Sequence, residues 1–325
     1  MEASRARQIK IYIGKHFRLF KTEKGWKVII FAAIIAGLIF AIMSDMLFHN
    51  DTNTEMGLFT IISACIWVGI FNSIQSVCKE RDIIKREHRG GLHISAYIIS
   101  HMVYQSVISF VEAILFLICM IVFCETPDYS LVGNIYLEYF ITFFLVIYAS
   151  DVLALAISSI VKSPSTAMTV MPFLLIIQLL FAGVLFNLGD SIAMKTVAKM
   201  TISNWGLNAA GTSADYNSLD SYARQQINED QIARGVKTVL ENKVDESGNP
   251  ILNEYYYNSD QEVLDKEIKS MVSDVMDESF KKGVVKKYEY TTGNLTKQWL
   301  ALLVHIVCYA AIGIVALEFV DKDKR

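Results

Sequence analysis

The 325-residue sequence has only four prolines, and its charges are missing from long stretches. Charged residues make up 19% of the chain and hydrophobic ones 53%, whereas a water-soluble domain carries about a quarter charged residues. A single soluble core is therefore the weaker description. The usual signatures of catalysis are also absent. The one Gly-Lys pair, Gly14-Lys15, is followed by His16 and lacks the upstream glycine of a phosphate-binding loop. No Gly-x-Ser-x-Gly, His-Glu-x-x-His or paired-cysteine metal pattern occurs. The six histidines are scattered and make no ligand set. Cys65, Cys119 and Cys308 fall inside apolar runs, Cys78 and Cys124 at their ends, so no disulfide framework is expected. An enzyme has no residues to rest on, and neither a metal, a cofactor held by this chain nor a nucleic-acid partner is expected.

What is present is a series of six apolar runs, at about 26–48, 56–77, 96–123, 136–161, 166–188 and 298–319. About 20 apolar residues cross the hydrocarbon core as a helix, and buried helices of soluble proteins rarely stay charge-free for so long. The predicted fold class is therefore an all-α membrane protein with six transmembrane helices. About 25 polar or amphipathic residues precede the first run, which argues against a cleavable signal peptide.

The bases give the orientation. Residues 1–27 hold eight Lys or Arg, the loop Lys79–Arg89 five, the turn between the fourth and fifth runs Lys162, and the tail 320–325 three. The loops His49–Glu55 and Cys124–Leu137 hold none. This asymmetry places both termini in the cytoplasm of a multi-pass plasma-membrane protein. The long connection between the fifth and sixth runs then lies outside. Its first part, 189–211, stays apolar enough to re-enter or lie on the membrane. Residues 212–293 turn acidic and read as a small helical extracellular domain, with Leu264, Ile268, Met271 and Val275 as one helical stripe and Tyr222, Ile232, Val236 and Val239 as a looser one. Gly248-Asn249-Pro250 would separate the two helices. The sequons Asn50-Asp51-Thr52 and Asn294-Leu295-Thr296 fall on the same outer side.

Three features carry further content. Ile9, Ile13, Phe17 and Phe20 share one stripe of residues 1–25, with Arg7, Lys10, Lys15, Arg18 and Lys21 elsewhere around the helix, the pattern of an interfacial amphipathic helix. The loop from Cys78 to Gly91 combines many charges with the pair Ile83-Ile84, which suits a short helix, about 79–90, docking into a partner's groove. His101, Gln105 and Glu112 lie on one stripe of the third run, and Asn72, Gln75, Asp151 and Gln178 come from others. With no Lys or Arg at comparable depth, these intramembrane polar residues should face the bundle interior, and interhelical packing is preferred over a substrate or proton path.

These residues resemble the type-2 ABC exporter permeases, in their G-subfamily-like branch. That branch joins its second and third spans by a coupling helix with the pattern Glu-Arg-x-x-Phe-x-Arg-Glu-x-x-x-Gly, followed by Ser-x-Tyr. This chain has Glu80-Arg81, Ile84 in the aromatic position, Arg86-Glu87, Gly91 and Ser95-Ala96-Tyr97, with Leu92 where an aromatic is usual. Tyr148–Ile157 is similar to the family's small-residue fourth helix, with Asp151 replacing a neutral residue. Phe181–Leu188 is similar to its Phe-Ser-Gly-Leu-Leu-x-Asn-Leu segment. The resemblance leaves 212–292 uncovered.

The resemblance implies a half-transporter that pairs with a second permease subunit and with an ABC ATPase subunit, which binds ATP and Mg. Glu80, Arg81, Ile83, Ile84, Arg86 and Glu87 would couple to that ATPase. Trp67, Val68 and Phe71 on the second span, with Phe173, Ile176 and Leu179 on the fifth, would line a cavity for an amphiphilic or apolar substrate, and Val184 and Leu185 would form its outer gate. Residues 1–25 would be the family's connecting helix. The rival reading is a non-transporting membrane protein, a sensor or assembly factor, displaying the outer domain on a six-helix anchor.

Overall fold

The computed structural model describes residues 4–185, 191–222, 227–242, 261–279 and 283–319, and among these it is helical with no strand. The amphipathic start is helix α1 (Arg5–Thr22). The first span is α2 (Trp26–Met43), ended by a single 3₁₀ turn at Ser44–Met46. Helix α3 (Asp51–Ser73) begins five residues before the apolar run, because the Asn50 side chain caps it by accepting the Asn53 N–H. After a break at Ile74-Gln75 the chain continues directly into α4 (Ser76–Arg89). Helices α5 (Ile94–Phe123) and α6 (Ile135–Ile160) match the expected third and fourth spans to within two residues.

The fifth run departs from expectation. Helix α7 covers only Pro164–Leu180 and gives way to a turn at 181–185, while residues 186–188 lie outside the described residues. Pro172 sits inside this helix. Five helical stretches are long and apolar enough to cross a membrane, Trp26–Met46, Asp51–Arg89, Ile94–Phe123, Ile135–Ile160 and Thr292–Glu318, with α7 as a shorter apolar one. The chain is thus a multi-pass membrane protein by its helices. Two further helices follow, α8 (Ile192–Lys199) and α9 (Ile202–Ser213). The apolar side chains of α8 stay uncovered, Ile192 at 83%, whereas α9 is buried along nearly its whole length.

Helix α6 is the centre of the bundle. It packs against α3, α5, α9 and the last helix, α12 (Thr292–Glu318). Small side chains allow this. A Cβ at Gly69 of α3 would fall on the Ile147 carbonyl oxygen and 2.8 Å from Ser150 Cβ, so only glycine lets the two helices approach so closely. Around this contact Phe40 meets Phe116 and Phe143 edge to face, and Phe143 in turn packs tilted against Phe116 and Tyr139.

The polar connection holds two helices, α10 (Glu229–Asn242) and α11 (Gln261–Ser279), which pack on each other. The buried stripe on α11 is Ile268, Val272 and Met276, facing Ala233. Met271 and Val275 of the expected stripe are instead 60% and 61% exposed, and Ile232 and Val236 are half exposed, so the packed face lies one residue further along the helix. The Leu264 and Val239 side chains and Gly248-Asn249-Pro250 lie outside the described residues. Ion pairs Lys237–Asp265 (2.6 Å) and Lys269–Asp230 (2.8 Å) flank the stripe. The segment leaves and rejoins the bundle at one point, where Asn217 accepts the Val285 N–H (2.9 Å) and donates to the Val285 and Tyr288 carbonyls. Beside it Glu55 of α3 pairs with Lys287 (3.0 Å) and accepts the Tyr288 hydroxyl (2.7 Å).

Candidate functional site

Helix α4 forms because Ser76–Arg89 has no β-branched run longer than Ile83-Ile84, carries bases in its last turn, and stops at Gly90-Gly91. Its first N–H groups are satisfied from another helix: Ser158 Oγ of α6 accepts from both Val77 and Cys78, each at 3.1 Å. Arg81 then reaches back to the C-terminal end of α6, donating to the Ser159 carbonyl (2.8 Å) and the Val161 carbonyl (3.3 Å).

The other side of α4 is held by α1. Tyr12 donates its hydroxyl to Glu87 (2.6 Å), and Lys15 pairs with Glu80 (3.1 Å), which also accepts the Tyr97 hydroxyl (3.0 Å). Gln8 bridges the turn after α4, donating to the Gly91 carbonyl (3.0 Å) and accepting the His93 N–H (2.9 Å). Burial, and then the hydrogen bond to Glu87, push the Tyr12 phenol well above its ordinary value. His16 is buried against Tyr97, His101 and Tyr104, and that burial lowers its imidazole to about 4. The polar and aromatic side of α1 thus faces protein, and its stripe of Ile9, Ile13, Phe17 and Phe20 remains partly uncovered.

The sequence-derived coupling residues therefore divide into two faces. Ile84 is fully buried in a cluster with Val77, Leu92, Ile94, Tyr97, Ile98, Leu155 and Leu317. Glu80, Arg81 and Glu87 are engaged by α1, α5 and α6. Only Ile83 (38% exposed) and Arg86 point outward, and they share a stripe with Lys79 and Asp82 at i, i+3, i+4 and i+7. Lys79 and Asp82 were missed from sequence. Their signal was available: Val77 and Ile84 lie two turns apart and mark the inner face.

The intramembrane polar residues come together as one network. Asp151 of α6 accepts from Gln105 (2.8 Å), Ser73 (3.1 Å) and Ser109 (2.5 Å). Glu112 of α5 accepts from the Asn72 amide nitrogen with both carboxylate oxygens, at 3.0 and 2.9 Å. Three helices are thereby cross-linked without a base. Gln178 serves elsewhere, accepting the Ser203 N–H (3.1 Å) and tying α7 to the first turn of α9. His101 packs on His16 and takes no part in the carboxylate bonds.

Among the cavity candidates, Trp67, Phe71, Phe173 and Ile176 are exposed on the surface of the single chain, Leu179 is partly so, and Val68 is buried in the core. Val184 packs against the core edge, and Leu185 is exposed in the turn after α7. No cluster of three or more His, Cys, Asp or Glu that could hold a metal occurs among the described residues.

Apolar helices thus form a bundle whose second span runs straight into a charged helix clamped to it. Residues 7–211 match the ABC-2 type transporter family, and the chain belongs to that family. It is also similar, at 24% identity over 220 residues, to a Mycobacterium tuberculosis protein named an ABC transporter ATP-binding/permease protein. The match covers 64% of this chain and 25% of that relative, so the chain spans about a quarter of the relative's length. The family match, residues 7–211, takes in nearly all of α1, all of α2 to α8 and most of α9.

Proposed function

We propose that this permease is the membrane half of an ATP-driven exporter and that α4 is the lever on which the ATPase pushes. The observation that carries this reading is the seating of α4. One end continues into α3 through the break at Ile74-Gln75, the Ser158 cap and Arg81 lock it to α6, and Tyr12–Glu87 and Lys15–Glu80 lock it to α1. A push on the outer stripe of Lys79, Asp82, Ile83 and Arg86 is therefore delivered to three helices at once.

In this reading ATP and Mg are bound by an ATPase encoded separately from this chain, although the M. tuberculosis relative bears both functions in its name. The six apolar runs all cross the plasma membrane, α7 with help from the turn that follows it, and the bases keep both termini in the cytoplasm. Residues 212–293 stand outside. A second permease subunit covers Trp67, Phe71, Phe173 and Ile176, and the space between the two subunits opens alternately to either side for an amphiphilic or apolar cargo, with Val184 and Leu185 at its outer end.

The test is co-purification of the ATPase subunit with the tagged permease. The double substitution Ile83→Asp and Arg86→Glu removes an apolar anchor and reverses a charge, and should cut recovery of the ATPase by on the order of 100-fold, about 3 kcal/mol, with the permease still monodisperse. Undiminished recovery removes α4 as the docking element.

A further inference from the structure

We propose that the corner between α1, α2, α4 and α5 is a binding site for one anionic phospholipid, distinct from any transported cargo. A cavity of about 480 Å³ opens there, within the range of small-molecule sites. Its mouth carries Lys24, Lys27 and Lys79, none of which makes an ion pair among the described residues. The two acids at the mouth are Glu23 and Glu80, and Glu80 is already engaged by Lys15 and Tyr97. The balance is positive, which suits a phosphate.

The depth of the cavity is different. Leu19, Phe20, Val28 and Ile108 supply an apolar wall that leads toward the first residues of α2, the height at which a lipid's headgroup gives way to its chains. His101 and Asn72 also line it. The His101 Nδ1 and the Asn72 Oδ1 are buried with no hydrogen-bond partner, although the Asn72 amide nitrogen is bonded to Glu112. Buried polar atoms are rarely left so, and the hydroxyls of a glycerol headgroup provide the missing donors.

The end of α1 sets where Lys24 and Phe20 stand. Lys24 holds φ at +56, a left-handed conformation that a β-carbon disfavours, and a Cβ on Gly25 would strike the Phe20 ring. This is how α1 ends: Lys24 follows the C-cap Glu23, and the Gly25 N–H closes on the Phe20 carbonyl at 2.8 Å. The turn folds Phe20 back over itself while Lys24 is kept at the mouth. A free phosphate would use the lysines and leave the apolar wall idle; a zwitterionic lipid would fill the wall but bring its own cation to the lysines. Both features together select an anionic phospholipid.

The proposal rests on α1 lying at the membrane surface but not on coupling to an ATPase. The probe is phosphatidylglycerol, added to the full-length permease in detergent and followed by native mass spectrometry, with phosphatidylcholine and inorganic phosphate in parallel. One phosphatidylglycerol per chain should survive detergent removal. The triple variant Lys24→Gln, Lys27→Gln and Lys79→Gln should bind it on the order of 100-fold more weakly, each lysine near a lipid surface contributing about a factor of five. Val28→Trp, which fills the apolar wall and leaves the lysines, should reduce it as well. The exposed pair Arg7→Gln and Lys10→Gln on the same helix should not. Equal retention of phosphatidylcholine, equal binding by the triple variant, or full displacement by inorganic phosphate would each overturn the site. ATPase recovery by the Val28→Trp variant separates the two readings: loss of lipid with the ATPase retained leaves the coupling proposal intact.

Discussion

His16 shows how one side chain can make the seat of α1 depend on pH. Its burial lowers the imidazole to about 4 from an ordinary 6.5, so the undocked helix takes up a proton more readily than the docked one. Docking is at full strength above pH 6.5 and is lost as pH falls toward 4. At pH 5 the loss is about 2 kcal/mol. Hydrogen exchange in α1, corrected for intrinsic rates, should therefore accelerate between pH 7 and pH 5, and His16→Phe should flatten that profile. An equally steep profile in the variant would remove His16 as the cause.

At the same scale, the roles of single residues were only half legible in the sequence. The types in the coupling loop were readable, but not their direction, because a run such as Lys-Glu-Arg-Asp is charged on every face of a helix. Ile84 reads as an anchor for a partner because a solvated loop does not need it; it proves to be the anchor of α4 to its own bundle. The acids inside the spans, Glu112 and Asp151, are buried within the bundle, and lipid is costly for a carboxylate. That Asn72, Ser73, Ser109 and Gln105 would be their partners depends on how α3, α5 and α6 cross, which no single run encodes.

Among the elements, α4 depends on a residue far from it in sequence. Ser158 satisfies two N–H groups at its start, and these have no other acceptor in the described structure. Ser158→Ala should cost about 1–3 kcal/mol locally, and the Val77 and Cys78 amides should exchange at least tenfold faster. Unchanged exchange there would mean that the break at Ile74-Gln75 stabilises α4 without the cap. The long spans were the most legible elements, because twenty apolar residues leave little choice in lipid. The ends were less so. Helix α3 starts early because Asn50 supplies a cap, and α7 stops early even though the apolar composition continues through Phe181–Leu185.

For the whole molecule, the telling feature is where the polar segment is attached. Asn217 holds the outgoing and returning strands of chain together, and the α10–α11 pair has its own small core of Ala233, Ile268, Val272 and Met276. Such a segment behaves as an insertion, whose removal leaves the host's packing in place. Replacing residues 223–282 by a short Gly-Ser linker should give a protein with the same elution volume and helical signal per residue as expected for the bundle. Its thermal midpoint should fall by only a few degrees, as for a loss of about 1 kcal/mol. Aggregation of that variant would mean that the segment supports the bundle.

The same neighbourhood bears on how sidedness can be measured. The Asn294 amide donates to the Thr212 hydroxyl and to the Lys287 and Glu289 carbonyls, and the Asn50 carbonyl oxygen caps α3. The Asn294 amide nitrogen, the atom a sugar would take, is thus engaged by the fold, whereas the Asn50 cap uses the oxygen a sugar would leave free. In a glycosylating host silence at Asn294 would therefore report folding as much as sidedness, and an acceptor grafted into the α10–α11 insertion is the cleaner reporter of topology.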